Sequence, residues 1–321
     1  MRMRALLAGR MGLFLLIAIL ESCCGDNARS GTEPSQIPLG TALATLGGSG
    51  PPCGTADAPP SQYEHVVWIW MENHSDTAIR DSPQAPYLNQ LMRQCASASN
   101  YAAVGSPSLP NYVGATAGST FGITDDADPS AHPLEADNLF RQVRSMGRTA
   151  KSYEESMPTN CSLVGSGRYA IKHNPEAYFT AVADRTACGR DDVPLGEVSH
   201  GELSDDLARD TLPTFAFVTP DLCNDTHDCP TATGDQWLAL WMPVILGSPA
   251  YKSATTVVVV VFDEPTPMPN VFIAPSIVPG TTTPGGFSHY SLLRATEEML
   301  GIHMFLGAAQ SSAGLRAAIH F

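Results

Sequence analysis

The stretch Thr255-Thr256-Val257-Val258-Val259-Val260-Val261-Phe262-Asp263-Glu264-Pro265 is the strongest structural signal in the chain. Its six consecutive apolar residues, five of them β-branched, predict a strand that is buried on both faces, as in a parallel sheet covered by helices. Two adjacent carboxylates follow, and Pro265 prevents the strand from continuing. Ligands of open α/β sheets bind at the carboxyl ends of the strands. Asp263 and Glu264 are therefore candidate ligands of a divalent cation, with a simple polar turn as the alternative.

Other strands and helices are predicted on both sides of this stretch. Residues 65–71 read as a second buried strand that ends in Glu72 and Asn73, and residues 214–220 read as a third, whose exit loop carries Asp225 and His227. Further strands are predicted over 149–153 and 271–275, and helices over 87–97, 138–146, 236–246 and 291–300. Residues 160–205 lack periodicity and predict an irregular insertion. The alternation of strands and helices indicates an α/β fold, and polar groups at three strand exits favour a metal-dependent site.

Composition limits the partners of this chain. Its 321 residues are 43% apolar and 16% charged, with a net charge of −14. Nucleic acid is therefore not an expected partner, because phosphate backbones are bound by basic patches. For the same reason, an anionic substrate would need a cation close to the site.

The amino-terminal residues predict export. Arg2, Arg4 and Arg10 precede an apolar segment, Met11–Leu20, that is too short to span a bilayer. We predict a signal peptide over 1–24, a flexible linker rich in Gly, Ser, Thr and Pro over 25–60, and one folded domain over 61–321. Leu20–Cys23 is similar to a lipoprotein cleavage box, so a membrane tether through a lipidated Cys23 stands beside ordinary cleavage and an uncleaved anchor. The expected location is periplasmic, at the cell surface or secreted.

Six further cysteines predict disulfide bonds, as is typical of exported proteins. Short spacing favours Cys223–Cys229 and Cys161–Cys188, which leaves Cys53 to pair with Cys95. No CxxC pair occurs, which disfavours zinc as the reason for these cysteines.

Ser108 lies where a helix is predicted to begin, with Pro110 in the first turn. A serine at this position is commonly only a helix cap. It can also hold a phosphoryl group against the free backbone N–H groups of the helix.

Taken together, several ordered motifs resemble the bacterial phosphoesterase family. The matching segments are Val66–Asn73, Ser108–Tyr112, Tyr153–Pro158, Lys172–Pro175, Asn224–Asp228, Val261–Glu264 and Ser288–Arg294. That family contains secreted acid phosphatases and phosphatidylcholine-type phospholipases C, and it belongs to the alkaline-phosphatase-like superfamily. The resemblance implies an α/β/α sandwich around a largely parallel sheet, with its site at the carboxyl ends of the strands.

The resemblance also implies residue roles. Four residues would hold a divalent metal of the Mg, Ca or Mn class: Glu72, Asn73, Asp263 and Glu264. Ser108 would be the nucleophile of a phosphoserine mechanism, with its hydroxyl bound to that metal, and His289, His227 and His173 would surround the phosphoryl oxygens or protonate the leaving group. His173 and Asp225 would contact the phosphorylated substrate. Structural alternatives are a helix cap for His289 and a loop support for His173.

One position departs from the family pattern, and it keeps the alternatives open. The family commonly has His two residues before the nucleophile, where this chain has Ser106. The leading hypothesis is an exported, metal-dependent acid phosphatase that hydrolyses small phosphomonoesters. A phospholipase C acting on phospholipid headgroups is the second, and an inactive surface-binding protein that keeps the fold is the third.

Overall fold

The computed structural model describes residues 50–321, and all eight strands of this part of the chain join one sheet. The strands are β1 (His65–Met71), β2 (Ala96–Ala102), β3 (Ala150–Glu154), β4 (Asp192–Pro194), β5 (Phe215–Thr219), β6 (Thr256–Phe262), β7 (Asn270–Ile273) and β8 (Thr281–Ser288). The helices are α1 (Asp76–Ile79), α2 (Pro86–Gln94), α3 (Ser108–Ala117), α4 (Leu139–Ser145), α5 (Val182–Asp191), α6 (Glu202–Ala208), α7 (Thr231–Gly247), α8 (Pro249–Lys252), α9 (His289–Leu300) and α10 (Leu315–Ile319). Short 3-10 helices cover Ile171–His173, Pro175–Tyr178 and Gly307–Ser311.

The sheet is largely parallel. Its strand order is β4-β3-β5-β1-β6-β7-β2-β8, and the reversed strand is β7, which pairs antiparallel with both β6 and β2. The predicted Val-rich strand is β6, and it lies at the centre beside β1. Met71 of β1 is in register with Phe262 of β6, so the residues that follow these two strands leave the sheet side by side. This register confirms that Glu72 and Asp263 belong to the same end of the sheet.

Helices cover both faces of the sheet, as the α/β/α prediction requires. Trp68 of β1 donates a hydrogen bond to Thr296 of α9, and the Trp70 ring packs against Tyr112 of α3. The next residue, Met71, points to the opposite face and contacts Gly234 of α7. All residues of β6 are buried, which explains their unbroken run of apolar side chains.

Two strands and most of the order in residues 160–205 were not predicted. The missed strands are β2, with the sequence ASASNYA, and β8, with TTTPGGFS. β8 is at the edge of the sheet and alternates partly buried with exposed residues, so it has no apolar run to mark it. The prediction of an irregular insertion over 160–205 is wrong, because this segment contains α5, β4 and α6.

The three predicted disulfide bonds are confirmed: Cys53–Cys95, Cys161–Cys188 and Cys223–Cys229. The first of them corrects the predicted linker. Cys53 is fully buried, the Tyr251 hydroxyl donates to the Pro52 carbonyl, and the amides of Thr55 and Ala56 donate to the Pro275 carbonyl. Residues 52–56 are therefore held against the domain and are not part of a mobile tether.

The remaining amino-terminal predictions lie outside the described residues. These are the signal peptide, the lipidation of Cys23 and the linker over 25–49. Across residues 50–321, no helix combines the length and apolar character needed to cross a bilayer.

Candidate active site

Glu72 is at the centre of a group of polar side chains at the carboxyl ends of β1 and β6. The residue is fully buried, and each of its two carboxylate oxygens has different neighbours. Oε2 accepts a hydrogen bond from Ser108 Oγ at 3.1 Å. Oε1 accepts one from the Tyr112 hydroxyl at 2.5 Å and lies 3.2 Å from His173 Nε2. Glu72 therefore has one oxygen directed to the predicted nucleophile and one directed to supporting residues.

Three buried carboxylates lie close together here, and the repulsion between their negative charges is unfavourable unless a positive charge lies nearby. Burial raises the pKa of Glu72 well above its ordinary value, and the charges of Asp263 and Asp225 raise it further. Burial also raises the pKa of Asp263 to about 7 and that of Asp225 to about 7. Three buried acids of this kind can keep their negative charges near neutral pH when a cation lies among them.

Asn73 completes a set of oxygen atoms suited to such a cation. Its φ of 51° is in the left-handed region, which Asn adopts more readily than most residues. The amide Oδ1 lies 2.9 Å from Glu72 Oε2 and 3.0 Å from Asp263 Oδ1. Adjacent oxygens around an octahedral cation at about 2.1 Å are separated by about 3.0 Å, so these spacings fit a hard divalent ion. The amide turned by 180° would instead donate Nδ2–H to the same carboxylates.

Glu264, the fourth predicted metal ligand, is not brought into this group. Its side chain is partly exposed, and among residues 50–321 it has no hydrogen bond or ion pair. The backbone turns after Asp263, and the backbone N–H of Glu264 interacts with the Asp263 carboxylate. The structure thus brings the side chains of Glu72, Asn73 and Asp263 together and leaves that of Glu264 outside the group, and the metal-ligand role of all four residues stays a prediction.

His289 lies beside the turn that follows β6, with both ring nitrogens close to other groups. It is fully buried as the first residue of α9, and Nε2 donates to the Asp263 backbone carbonyl at 2.8 Å. Nδ1 lies 3.3 Å from the Tyr101 hydroxyl, so both ring nitrogens have partners. Burial lowers the pKa of His289 to about 4, which leaves the ring neutral. His289 thus contacts the turn that carries Asp263, and its predicted catalytic role stays a prediction.

His173 and Asp225 lie next to each other beside Glu72. Both are buried, and they lie on the side of Glu72 that faces away from Ser108. His173 Nδ1 is 3.3 Å from Asp225 Oδ2, and neither ring nitrogen makes a hydrogen bond of good geometry within residues 50–321. The ring stacks on Tyr112 with centroids 5.1 Å apart. These residues therefore contact Glu72 and each other, and their predicted role in substrate binding stays a prediction.

His227 is partly exposed beside the buried His173 ring, and this place is called here the opening of the site. Its side chain is 27% exposed, and its Nδ1 is 2.7 Å from Asp228 Oδ1. Lys172 Nζ donates to Nε2 at 3.3 Å, which places the neutral ring's proton on Nδ1. The loop that carries His227 is fixed by the Cys223–Cys229 disulfide and by a hydrogen bond from the His227 amide to Asp225 Oδ1 at 2.7 Å.

The start of α3 differs from the prediction in one important respect. Pro107 is the cap, and Ser108 is the first helical residue. The Leu109 N–H donates to Asp126 Oδ1 at 2.9 Å, and Pro110 has no N–H. A phosphoryl group on Ser108 would therefore find at most the Ser108 amide free in the first turn. An acidic side chain from a neighbouring loop occupies the helix end here, so several backbone N–H groups could hold the phosphoryl group only if Asp126 released the Leu109 N–H.

Access to the nucleophile is narrow. Ser108 is 1% exposed, whereas Asn73 and Ser106 are exposed beside it. Ser106 makes no side-chain hydrogen bond in the described part of the chain, so the contact with Glu72 favours Ser108 over Ser106 as the nucleophile.

Sequence reasoning missed Tyr112, Lys172 and Asp126. A signal for Tyr112 was present, because residues 108 and 112 are four apart on a helix and so lie on one face. Lys172 was part of a motif but had no role assigned to it. Asp126 comes from an irregular loop, and nothing in the sequence indicates that it reaches Leu109.

The fold is a largely parallel sheet between helices, with a group of buried polar side chains at the carboxyl ends of β1 and β6. Comparison with known proteins then identifies the group: the model of the Phosphoesterase family matches residues 78–267. The chain is 32% identical over 266 residues to a phosphatidylinositol-3-phosphatase of Mycobacterium tuberculosis (strain ATCC 25618 / H37Rv), covering 81% of this chain and 84% of that protein. It is 27% identical over 308 residues to a phosphate-repressible acid phosphatase of Penicillium chrysogenum, covering 90% and 71% of the two chains.

The protein therefore belongs to the phosphoesterase family and hydrolyses phosphate esters, as the resemblance implied. A solved structure agrees on the fold. A protein in the alkaline phosphatase superfamily from Vibrio parahaemolyticus superposes with a TM-score of 0.55 at 11% identity, covering 87% of this chain and 78% of that chain. The predicted fold class is confirmed.

Proposed function

We propose that this protein is an exported, divalent-metal-dependent phosphatase that transfers the phosphoryl group of a monoester to Ser108 and then to water. The observation that carries this proposal is the hydrogen bond from Ser108 Oγ to Glu72 Oε2, beside the oxygens of Asn73 and Asp263. This is the arrangement expected of a serine that loses its proton to a neighbouring carboxylate as it attacks.

Glu72, Asn73 and Asp263 are the residues that would hold the metal. A hard divalent cation bound there would neutralise the negative charge that develops on the phosphoryl group and on the serine oxygen. The donor set of two carboxylates and one amide oxygen suits Mg²⁺, Ca²⁺ or Mn²⁺.

The remaining chemistry belongs to side chains of this chain. Ser108 Oγ forms a bond to phosphorus, its proton passes to Glu72 Oε2, and the bond from phosphorus to the ester oxygen breaks. His227, protonated at Nε2, is the group at the opening that can give the departing alcohol its proton. Water then attacks the phosphoserine and gives one proton back to His227. Glu72 returns the first proton to Ser108, and inorganic phosphate leaves.

Two observations support the monoester substrate and export. The relatives named above are a phosphatidylinositol-3-phosphatase and an acid phosphatase, and both names describe removal of a phosphate group. Three disulfide bonds within residues 53–229 fit an oxidising compartment, in agreement with the predicted amino-terminal export signal.

The test compares Ser108→Ala with Ser106→Ala. Turnover of p-nitrophenyl phosphate should fall below about a thousandth of wild type in Ser108→Ala, because no nucleophile remains. Ser106→Ala should keep a measurable fraction of activity, since Ser106 has no contact with Glu72. Thermal unfolding of both variants checks that they are folded.

The stereochemistry at phosphorus gives a second, independent readout. Two successive in-line displacements retain configuration at a chiral phosphorus, whereas one displacement by water inverts it. Inversion, or a Ser108→Ala enzyme within tenfold of wild type, would refute the phosphoserine step. Preference for phosphatidylcholine over monoesters would support a phospholipase C instead, and inactivity towards both substrates with metal present would support a binding protein.

A further inference from the structure

Lys172 is the basic side chain at the opening of the site. It belongs to the 3-10 helix Ile171–His173, and its side chain is 20% exposed. Its charge lowers the pKa of Glu72 and of the buried His173, so its field reaches the centre of the site. The protein has a net charge of −14, so an anionic substrate needs a local positive charge, and Lys172 provides one.

Two of the three hydrogens of the Lys172 ammonium group have internal partners. Nζ donates to Asp126 Oδ2 at 3.1 Å and to His227 Nε2 at 3.3 Å. The other oxygen of Asp126 accepts the Leu109 N–H at 2.9 Å, immediately after the nucleophile in the chain. The Asp126 carboxylate thus holds two donors, one cationic and one at a helix start, that are both suited to an oxygen of a phosphoryl group.

We propose that Lys172 binds the phosphoryl group of the substrate and that Asp126 is an internal competitor, whose carboxylate takes the place of a phosphoryl oxygen until substrate arrives. This inference rests on the proposed function and names the residues that would favour its monoester substrate. A terminal phosphate carries nearly two negative charges and three free oxygens near pH 7, whereas a diester carries one charge and two free oxygens. Exchange of the Asp126 carboxylate for phosphate therefore favours monoesters.

The exchange has a consequence for His227. While Lys172 donates to Nε2, that nitrogen cannot carry a proton. When Lys172 turns to the phosphoryl group, Nε2 is released and can take the proton that the leaving group needs. Phosphate binding and the ability of His227 to donate a proton are therefore linked through Lys172.

If Asp126 competes with phosphate for Lys172, two single substitutions should change the affinity for phosphate in opposite directions. Lys172→Ala removes the binding cation, so inorganic phosphate should bind at least tenfold more weakly. Asp126→Asn removes the competing charge but keeps an Oδ1 that can accept the Leu109 N–H, so phosphate should bind at least threefold more tightly. A purely structural ion pair would predict the same direction for both variants, because either substitution breaks the pair.

The experiment is calorimetric titration of the folded protein with inorganic phosphate at fixed pH and fixed divalent-ion concentration. Asp125→Asn is the matched control, since it removes one negative charge from the neighbouring position, where the carboxylate contacts His132 and not Lys172. Its affinity should stay within twofold of wild type. Lys172→Arg should recover part of the binding lost in Lys172→Ala, which separates loss of charge from loss of fold.

A second readout is the ratio of kcat/KM for p-nitrophenyl phosphate to that for bis(p-nitrophenyl) phosphate, which should fall at least tenfold in Lys172→Ala. If wild type binds phosphate but the Lys172 and Asp126 variants move in the same direction, or neither changes, this inference is refuted while the proposed function stands. If wild type binds no phosphate at any divalent-ion concentration, both are refuted.

Discussion

The hydrogen bond from Tyr112 to Glu72 gives the most direct test of how the site is built. Tyr112→Phe removes the hydroxyl and keeps the buried ring that stacks on His173. Burial and the Glu72 charge raise the pKa of Tyr112 well above its ordinary value, so the hydroxyl keeps its proton and donates. After the substitution, Glu72 Oε1 retains only His173 Nε2 at 3.2 Å, a contact without hydrogen-bond geometry.

The expected size of the effect follows from the kind of bond removed. A hydrogen bond to a charged group contributes about 1.5–3 kcal/mol. At about 2 kcal/mol, kcat/KM should fall roughly 30-fold if the orientation of Glu72 is needed in the transition state. The affinity for the activating divalent ion should weaken by about tenfold, because the same bond fixes one of the proposed ligands.

Tyr153→Phe is the matched control. Tyr153 is fully buried, and its hydroxyl donates to Asp206 Oδ2 at 2.6 Å, so the same type of bond is lost from β3 rather than from the site. Both variants should lose comparable free energy of unfolding in urea titrations, and only Tyr112→Phe should lose activity. If the two variants lose activity equally, Tyr112 contributes to stability alone and the argument for its positioning role fails.

The remaining predictions concern the metal, a disulfide and pH. Asp263→Asn should keep the far-UV spectrum but lower turnover at least a thousandfold and reduce bound metal in elemental analysis; full activity with metal retained would mean that the ligand set is wrong. Replacing Cys223 and Cys229 by Ser should cost only about 2 kcal/mol of stability yet impair activity, whereas replacing Cys161 and Cys188 should cost about 3.5 kcal/mol, because the loop it closes is longer. The reverse order in activity loss would contradict the role given to the Cys223–Cys229 loop. Burial raises the pKa of Glu297 to about 8, so the folded state binds a proton that the unfolded state has released, and stability should fall as pH rises from about 4.5 through 8. Glu297→Gln should remove this part of the fall, roughly 4 kcal/mol in urea unfolding at pH 9, and an unchanged pH profile would show that Glu297 does not titrate in this range.

The central part of the fold could be predicted because its sequence is unambiguous. β1 and β6 are continuous apolar runs, and in a parallel sheet such runs must lie in the interior. The convergence of Glu72 and Asp263 then follows from topology alone, since both residues come directly after strands of the same direction. β8 could not be found, because Thr, Gly and Pro at an exposed edge carry no periodic signal.

The details of the site could not be predicted, because they depend on side-chain directions over a few ångströms. Pattern alone does not indicate that His289 turns its Nε2 to the carbonyl of Asp263, or that Oε1 and Oε2 of Glu72 face different partners. The position of Asp126 at Leu109 depends on the path of an irregular loop 17 residues further along the chain.

The Cys53–Cys95 bond also determines which end of the sheet faces the solution when the protein is attached to a surface through its amino-terminal side. Cys95 immediately precedes β2, at the amino ends of the parallel strands, and Pro275, which binds the amides of Thr55 and Ala56, follows the reversed β7 at the same end. The chain thus enters the domain at the end of the sheet opposite to Glu72 and Ser108. A tag, bead or biosensor chip attached ahead of residue 50 leaves the reactive end facing the solution, so immobilised protein should hydrolyse bulky substrates as readily as free protein.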